Sequence, residues 1–215
     1  MLYFFMVSVK DSSFSEQIKQ LADSYLKNGT DSGNLCRMMK KLFTVTQHHI
    51  DQNIPQEQLS MIRCRSGCSH CCRVHVPVLK PEAVIIASHL RNSSNQTVLG
   101  RLISNMEKFS LDISAYDEEE RVAANKKCIF LGRMGECTIH PVRPFACRSV
   151  VSADEKACRE SMRLTLLDEP VLVPMNILNK SINDSAFMGL AESMKDNGMD
   201  DRSVEITSGV LACLR

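Results

Sequence analysis

Four cysteines fall within nine residues, "CRSGCSHCC" from Cys64 to Cys72, and four more, Cys128, Cys137, Cys147 and Cys158, follow in a second stretch. This grouping constrains the chain more than any other feature, because thiols placed so densely must share a purpose. A chain of 215 residues that is 44% hydrophobic can bury a full core, so it does not need disulfides as staples. Metal binding and redox chemistry are the uses that clustered thiols serve in a reducing compartment.

Thiolates two or three residues apart can turn back onto one ion, since a short loop brings both sulfurs to a metal–sulfur distance of roughly 2.3 Å. The adjacent pair Cys71 and Cys72 does this less easily. Its sulfurs either serve different centres or leave one thiol spare or reactive. Eight thiolates fit two four-cysteine zinc sites, two iron–sulfur clusters, or one cluster beside a redox pair, because zinc and iron–sulfur clusters share this soft ligand set. Arg65, Arg73, Lys127, Arg148 and Arg159 each adjoin one of the eight cysteines. Such cations suit a metal that keeps net negative charge, and equally a thiol of lowered pKa. Cys36 and Cys213 stand apart in apolar patterns and read as buried thiols.

Outside the clusters the patterning is helical. Ser13 to Glu16 fits a capping box, and Phe14, Ile18, Leu21 and Tyr25 then recur at helical spacing to about Lys27. Leu35, Met38, Met39, Leu42 and Phe43 predict a second helix fading near Asn53. An alternating run from Val74 to Leu79 precedes a helix with Pro81 in its first turn. Further helices are expected over residues 94–110, over "SAYDEEERVAANKK" and over "DSAFMGLAESMKD", whereas "VEITSGVLACLR" is an ambiguous apolar finish. Residues 128–158, with two Gly and two Pro among four Cys, predict tight turns rather than a packed helix.

The formal net charge of +1 gives no electrostatic case for nucleic acid or an anionic membrane surface. No stretch approaches the roughly 18 uninterrupted apolar residues of a transmembrane segment. The N-terminal "MLYFFMVSVK" lacks a basic start and a cleavage site, so it reads as a buried first strand or helix turn in a cytoplasmic protein, with membrane contact as the alternative. Paired catalytic carboxylates, nucleophile elbows and phosphate-cradling loops are absent. The acidic run Asp117 to Glu120 reads as a solvated helix start. His48, His49, His70 and His75 read as surface or capping residues, and the twelve Met as core filler, with Met38, Met39, Met188 and Met194 as candidates to line a partner groove.

The blocks "CRSGCSHCCRVHVPVLKPEAVIIASHL" at 64–90 and "CIFLGRMGECTIHPVRPFACR" at 128–148, with Cys158 ten residues later, resemble the CxxCxxCC proteins, also called the YkgJ family. The resemblance covers roughly residues 60–160 and implies a zinc- or iron-chelating domain with the eight clustered cysteines as its ligands. Two features depart from the pattern: the first gap has three residues, and His140 stands where a tyrosine is common. An inward His140 would be a ninth ligand candidate; otherwise it packs like the aromatic it replaces. A relative, the flagellin lysine N-methylase, implies that such a domain can serve protein methylation. Cys64, Cys68 and Cys71 also have the spacing by which radical SAM enzymes hold a cluster, although the helical pattern around them does not suit a partial barrel.

The expectation is a mainly α, single helical domain organised around a cysteine-rich metal-binding core with irregular loops. A helical segment (1–60) precedes the chelating domain (61–160), and a second (161–215) packs on the same core. Cys64, Cys68, Cys71, Cys72, Cys128, Cys137, Cys147 and Cys158 would bind zinc or an iron–sulfur cluster ([4Fe–4S]). The expected partner is a metal ion, with a protein partner as a further option and nucleic acid not expected. The alternative function is an iron–sulfur-dependent protein-modifying enzyme.

Overall fold

Amphipathic spacing builds the body of the molecule. The computed structural model describes residues 12–164 and 172–215, so the expectation for the apolar N-terminal stretch lies outside the described residues. Helix α1 (Ser12–Leu26) presents Phe14, Ile18, Ala22 and Leu26, each four residues apart, to the interior. Helix α2 (Ser32–Asn53) does the same with Leu35, Met38, Met39 and Leu42, and starts where the Asp31 carboxylate accepts the N–H groups of Gly33 and Asn34. Met38 and Met39 are fully buried, so they fill the core and line no groove. A short α3 (Gln56–Met61) follows the turn at Pro55.

Among the described residues ten α-helices accompany one two-residue antiparallel pairing, β1 (Pro77–Val78) with β2 (Val204–Glu205). The alternating run at 74–79 thus yields only a short strand, because it meets a single partner before Pro81 starts α4 (Lys80–Ser93). The remaining elements are α5 (Gln96–Ile113), α6 (Glu118–Ala123), α7 (Phe145–Ser149), α8 (Glu155–Leu164), α9 (Ile177–Asp196) and α10 (Ile206–Leu214). The chain finish is therefore helical, and the capping box of α6 comes from Asp117 and Glu120.

Helices α1 and α9 form the most extensive pairing. Gly189 permits it, because a Cβ there would lie 2.3 Å from the Ser15 carbonyl oxygen. Asp23 closes its far end by accepting hydrogen bonds from Ser193 Oγ (2.6 Å) and Asn197 Nδ2 (2.7 Å). Helix α2 packs on α4, and α4 and α5 pack on α10. One apolar cluster runs through all of these, and Phe130, Ile139, Val142 and Phe145 join it from the second cysteine-bearing stretch. Each such fully buried side chain contributes about 1.5–3 kcal/mol.

Two helix starts meet at one carboxylate. Glu82 is completely buried; its Oε2 accepts the Leu79 N–H (2.9 Å) and its Oε1 accepts the Phe145 N–H (2.8 Å). It therefore caps α4 and fastens α7, which carries Cys147, to that helix. Burial raises its pKa to about 7, against the downward pull of the two N–H donors and Arg148. Because the folded value lies above the unfolded one, the carboxyl's contribution is full below about pH 4.5 and is lost as pH rises through 7. Wild type should lose about 3 kcal/mol relative to Glu82→Gln between pH 4 and pH 8. Denaturant melts of both proteins across that range check this, and parallel pH profiles would refute it.

Candidate metal centre

Turns deliver the first four cysteines. Cys68 N–H bonds the Arg65 carbonyl (3.0 Å) and Cys72 N–H bonds the Ser69 carbonyl (3.1 Å), so residues 64–72 coil without a regular helix. The loop is held from outside. Arg63 N–H donates to Ser152 O (2.8 Å), Ser152 N–H points at Cys64 Sγ (3.4 Å), and Cys128 N–H donates to Cys72 O (2.7 Å). These bonds join segments more than fifty residues apart in sequence.

The second four come from three kinds of structure. Cys128 and Cys137 flank a small hairpin whose arms bridge at Leu131 and Cys137, with Thr138 N–H donating to Phe130 O (2.9 Å). Cys147 lies on α7 and Cys158 on α8, so the expected irregular turns hold for Cys128 and Cys137 but give way to short helices beyond Pro144. At the hairpin tip Gly135 has φ +81°, and a Cβ there would stand 2.9 Å from the Gly67 carbonyl oxygen. The two cysteine loops therefore touch backbone to backbone at a place where only glycine fits.

Cys71 is the hub of the set. It lies within electrostatic reach of Cys68, Cys72, Cys137, Cys147 and Cys158. On one side, Cys64 couples to both Cys68 and Cys158. On the other, Cys128, Cys137 and Cys147 couple to one another. Burial pushes the Cys128 thiol up to about 11 and raises Cys68, Cys137, Cys147 and Cys158, while the hydrogen bond with Cys72, followed by burial, pushes Cys71 up strongly. None of the ten cysteines forms a disulfide, and Cys36 and Cys213 pack against the apolar core away from this group.

Among the described residues no group of three or more His, Cys, Asp or Glu side chains is close enough to hold one ion. The thiols share a neighbourhood without a closed coordination shell. Their chemistry nonetheless fits zinc or iron, because the set is all sulfur and the carboxylate that acts on Cys68, Glu155, is engaged by Arg65 (3.2 Å) and His70 (3.5 Å). Residues 63–164 match the family model CxxCxxCC, described as a "putative zinc- or iron-chelating domain". Over these residues the chain is similar to the CxxCxxCC family. No curated protein and no solved structure matches the chain, so the methylase alternative gains no support.

The histidines of this CxxCxxCC domain stay out of the sulfur set. His75 Nδ1 accepts from Arg121 Nη1 (3.1 Å), which leaves Nε2–H to donate to the Tyr116 carbonyl (3.3 Å); both ring nitrogens are used. His140 is exposed at the start of a 3-10 turn (His140–Val142), so it neither points inward nor packs as an aromatic would. Sequence reasoning missed Arg121, a fully buried cation paired with Glu205 Oε1 (3.0 Å), because a charge following an acidic run looks solvated. Among the cations that adjoin cysteines, Arg65 pairs with Glu155 and Arg148 stacks over the Phe43 ring at 4.2 Å.

The loop contact yields a paired prediction. Gly135→Ala should cost at least about 1–2 kcal/mol, from the left-handed backbone alone, and should weaken metal uptake. Gly100→Ala, in mid-helix with open space around it, should stabilise by roughly 0.5–1 kcal/mol. Thermal melts and metal titrations of the two variants check both; an unaffected Gly135→Ala would refute the loop-on-loop constraint.

Proposed function

We propose that this protein binds metal through eight cysteines arranged as two facing sets, Cys64, Cys68 and Cys158 against Cys128, Cys137 and Cys147, with Cys71 and Cys72 between them. The observation that carries this reading is the contact between the two cysteine segments, Cys128 N–H on the Cys72 carbonyl (2.7 Å) and Gly135 against Gly67, which leaves Cys71 within electrostatic reach of thiols from both sides. A vicinal pair at that position supplies one more sulfur to each set, which gives two groups of four. Zinc and an iron–sulfur cluster both take four thiolates.

Bound metal would complete what the backbone begins. The ligands come from the 64–72 loop, the 128–137 hairpin, α7 and α8, so one ion or cluster per set fastens elements that the apolar core reaches unevenly. In that role the metal is structural, tying the CxxCxxCC domain to the described helices before and after it that form its scaffold. No described helix is long and apolar enough to cross a membrane. We place the protein in the cytoplasm, where thiols remain reduced and available to metal.

Because burial holds Cys68, Cys128, Cys137, Cys147 and Cys158 as thiols at neutral pH, metal uptake releases protons and its apparent affinity falls as pH drops. Zinc titrations by calorimetry in buffers of different protonation enthalpy should show that release. The deciding experiment is elemental analysis with a visible absorption spectrum on protein purified without oxygen. About two zinc per chain, or iron with acid-labile sulfide, supports the reading, and metal-free folded protein defeats it. Cys68→Ser and Cys137→Ser should lower metal content and melting temperature together; full loading with unchanged melting would remove those residues from the ligand set.

A further inference from the structure

Lys40, Thr44 and His48 recur four residues apart along α2, so they share one face of that helix, and all three are exposed. Beside this face lies an open groove of about 740 Å³, which α2 forms with α4, the turn at His140–Val142 and α7. That volume falls within the range of small-molecule sites. Besides the three residues of α2, the groove takes His89 from α4 and Arg148 from α7, and its apolar lining includes the buried Ile85 and Val142. No cysteine lines it.

Arg148 is held in place before any ligand arrives. Its Nε donates to the Arg143 carbonyl (2.7 Å), its Nη2 donates to the Pro141 carbonyl (3.1 Å), and the guanidinium stacks 4.2 Å from the centre of the Phe43 ring. These contacts engage Nε and Nη2 but not Nη1. A guanidinium fixed in this way recognises an oxyanion without first losing rotamer freedom. Among the described residues Lys40, His48, His89 and Arg148 form no ion pair. The one carboxylate in the lining, Asp51, accepts the Gln47 side-chain amide (2.9 Å). Glu82 and Cys147 feel the charge of Arg148, but neither lines the groove. His89 Nε2 stands 3.4 Å from the Thr138 carbonyl oxygen, which leaves Nδ1 unused.

We propose that this groove binds a small organic phosphate, with Arg148 and Lys40 as its main partners, His48 and His89 as further donors, and the carbon part of the ligand against Ile85 and Val142. A planar carboxylate is satisfied by one guanidinium fork, whereas a phosphate offers more acceptor oxygens and more charge. Donors drawn from three helices, two of them permanent cations, suit the phosphate. The volume leaves room well beyond a phosphate group, and the apolar lining gives that room to carbon. The site shares no residue with the cysteine set and does not require that set to hold metal. No reaction is assigned to it.

The test titrates the full chain, reduced and at constant ionic strength in chloride, with phenyl phosphate, inorganic phosphate, benzoate and a glutamate hexapeptide, and follows backbone amide shifts by NMR. Phenyl phosphate should bind saturably, with shifts centred on the groove segments of α2, α4 and residues 141–148, and about tenfold more tightly than benzoate or inorganic phosphate. Lys40→Gln should weaken phenyl phosphate about 3- to 10-fold, while Lys41→Gln, exposed on the same helix but outside the groove, should match wild type. Arg148→Lys should weaken it similarly by losing the fork. Should that variant fold poorly, Lys40→Gln still decides, because Lys40 is exposed and makes no ion pair. Absence of saturable binding, shifts centred elsewhere, or equal affinity in Lys40→Gln and wild type overturns the proposal. Benzoate binding as tightly as phenyl phosphate overturns the phosphate class, and tighter binding of the hexapeptide replaces it with an acidic protein chain as the occupant.

Discussion

One carboxylate without solvent contact decides where the second cysteine block sits. Glu82 accepts N–H groups from Leu79, the N-cap residue of its own helix, and from the start of the helix that carries Cys147. Those donors would otherwise be buried and unpaired, at a cost of about 1–3 kcal/mol each. Through this link the position of Cys147 is fixed to α4, hence to α2 and α10, and finally to the core that α1 and α9 complete. The cysteine set is thus referenced to the whole helical body through a side chain that is not itself a sulfur donor.

The first block is held differently. No residue from Arg63 to His75 is buried, whereas Phe130, Ile139, Val142 and Phe145 sink into the apolar cluster between and beside Cys128, Cys137 and Cys147. Backbone hydrogen bonds to Ser152 and from Cys128, with the contact of Gly67 on Gly135, carry the 64–72 loop. Hydrogen bonds exchanged with water contribute only about 1 kcal/mol each. The loop therefore has little of its own to keep its thiols in place, and a bound ion would add most where the apolar contribution is least.

Helical spacing made the body legible. The apolar residues of α1, α2, α4, α5 and α9 recur three and four apart, and the structure puts helices there to within a few residues. Cysteine density marked the family and the candidate ligands. What local pattern could not give were features that depend on distant partners. The run from Val74 to Leu79 looked like a strand but found only Val204 and Glu205 to pair with. Arg121 follows four acidic residues yet is fully buried, because Glu205 and His75 come from far along the chain to satisfy it. Proline and cysteine near residues 141–149 suggested turns, while the outside acceptor at Glu82 allows a helix of five residues to start at Phe145.

Adjacency in sequence is only part of the account of charge. Of the five cations that adjoin cysteines, Arg65 turns to Glu155, while Arg148 stacks over Phe43 and still acts on Cys147. Arg121 and Arg143, which adjoin no cysteine, reach the thiols through the fold. Arg143 does so from extended backbone ahead of Pro144, outside the helix that carries Cys147. Which cations lie near the cysteine set is therefore decided by the turns and helix starts that carry the ligands, and not by the order of residues along the chain.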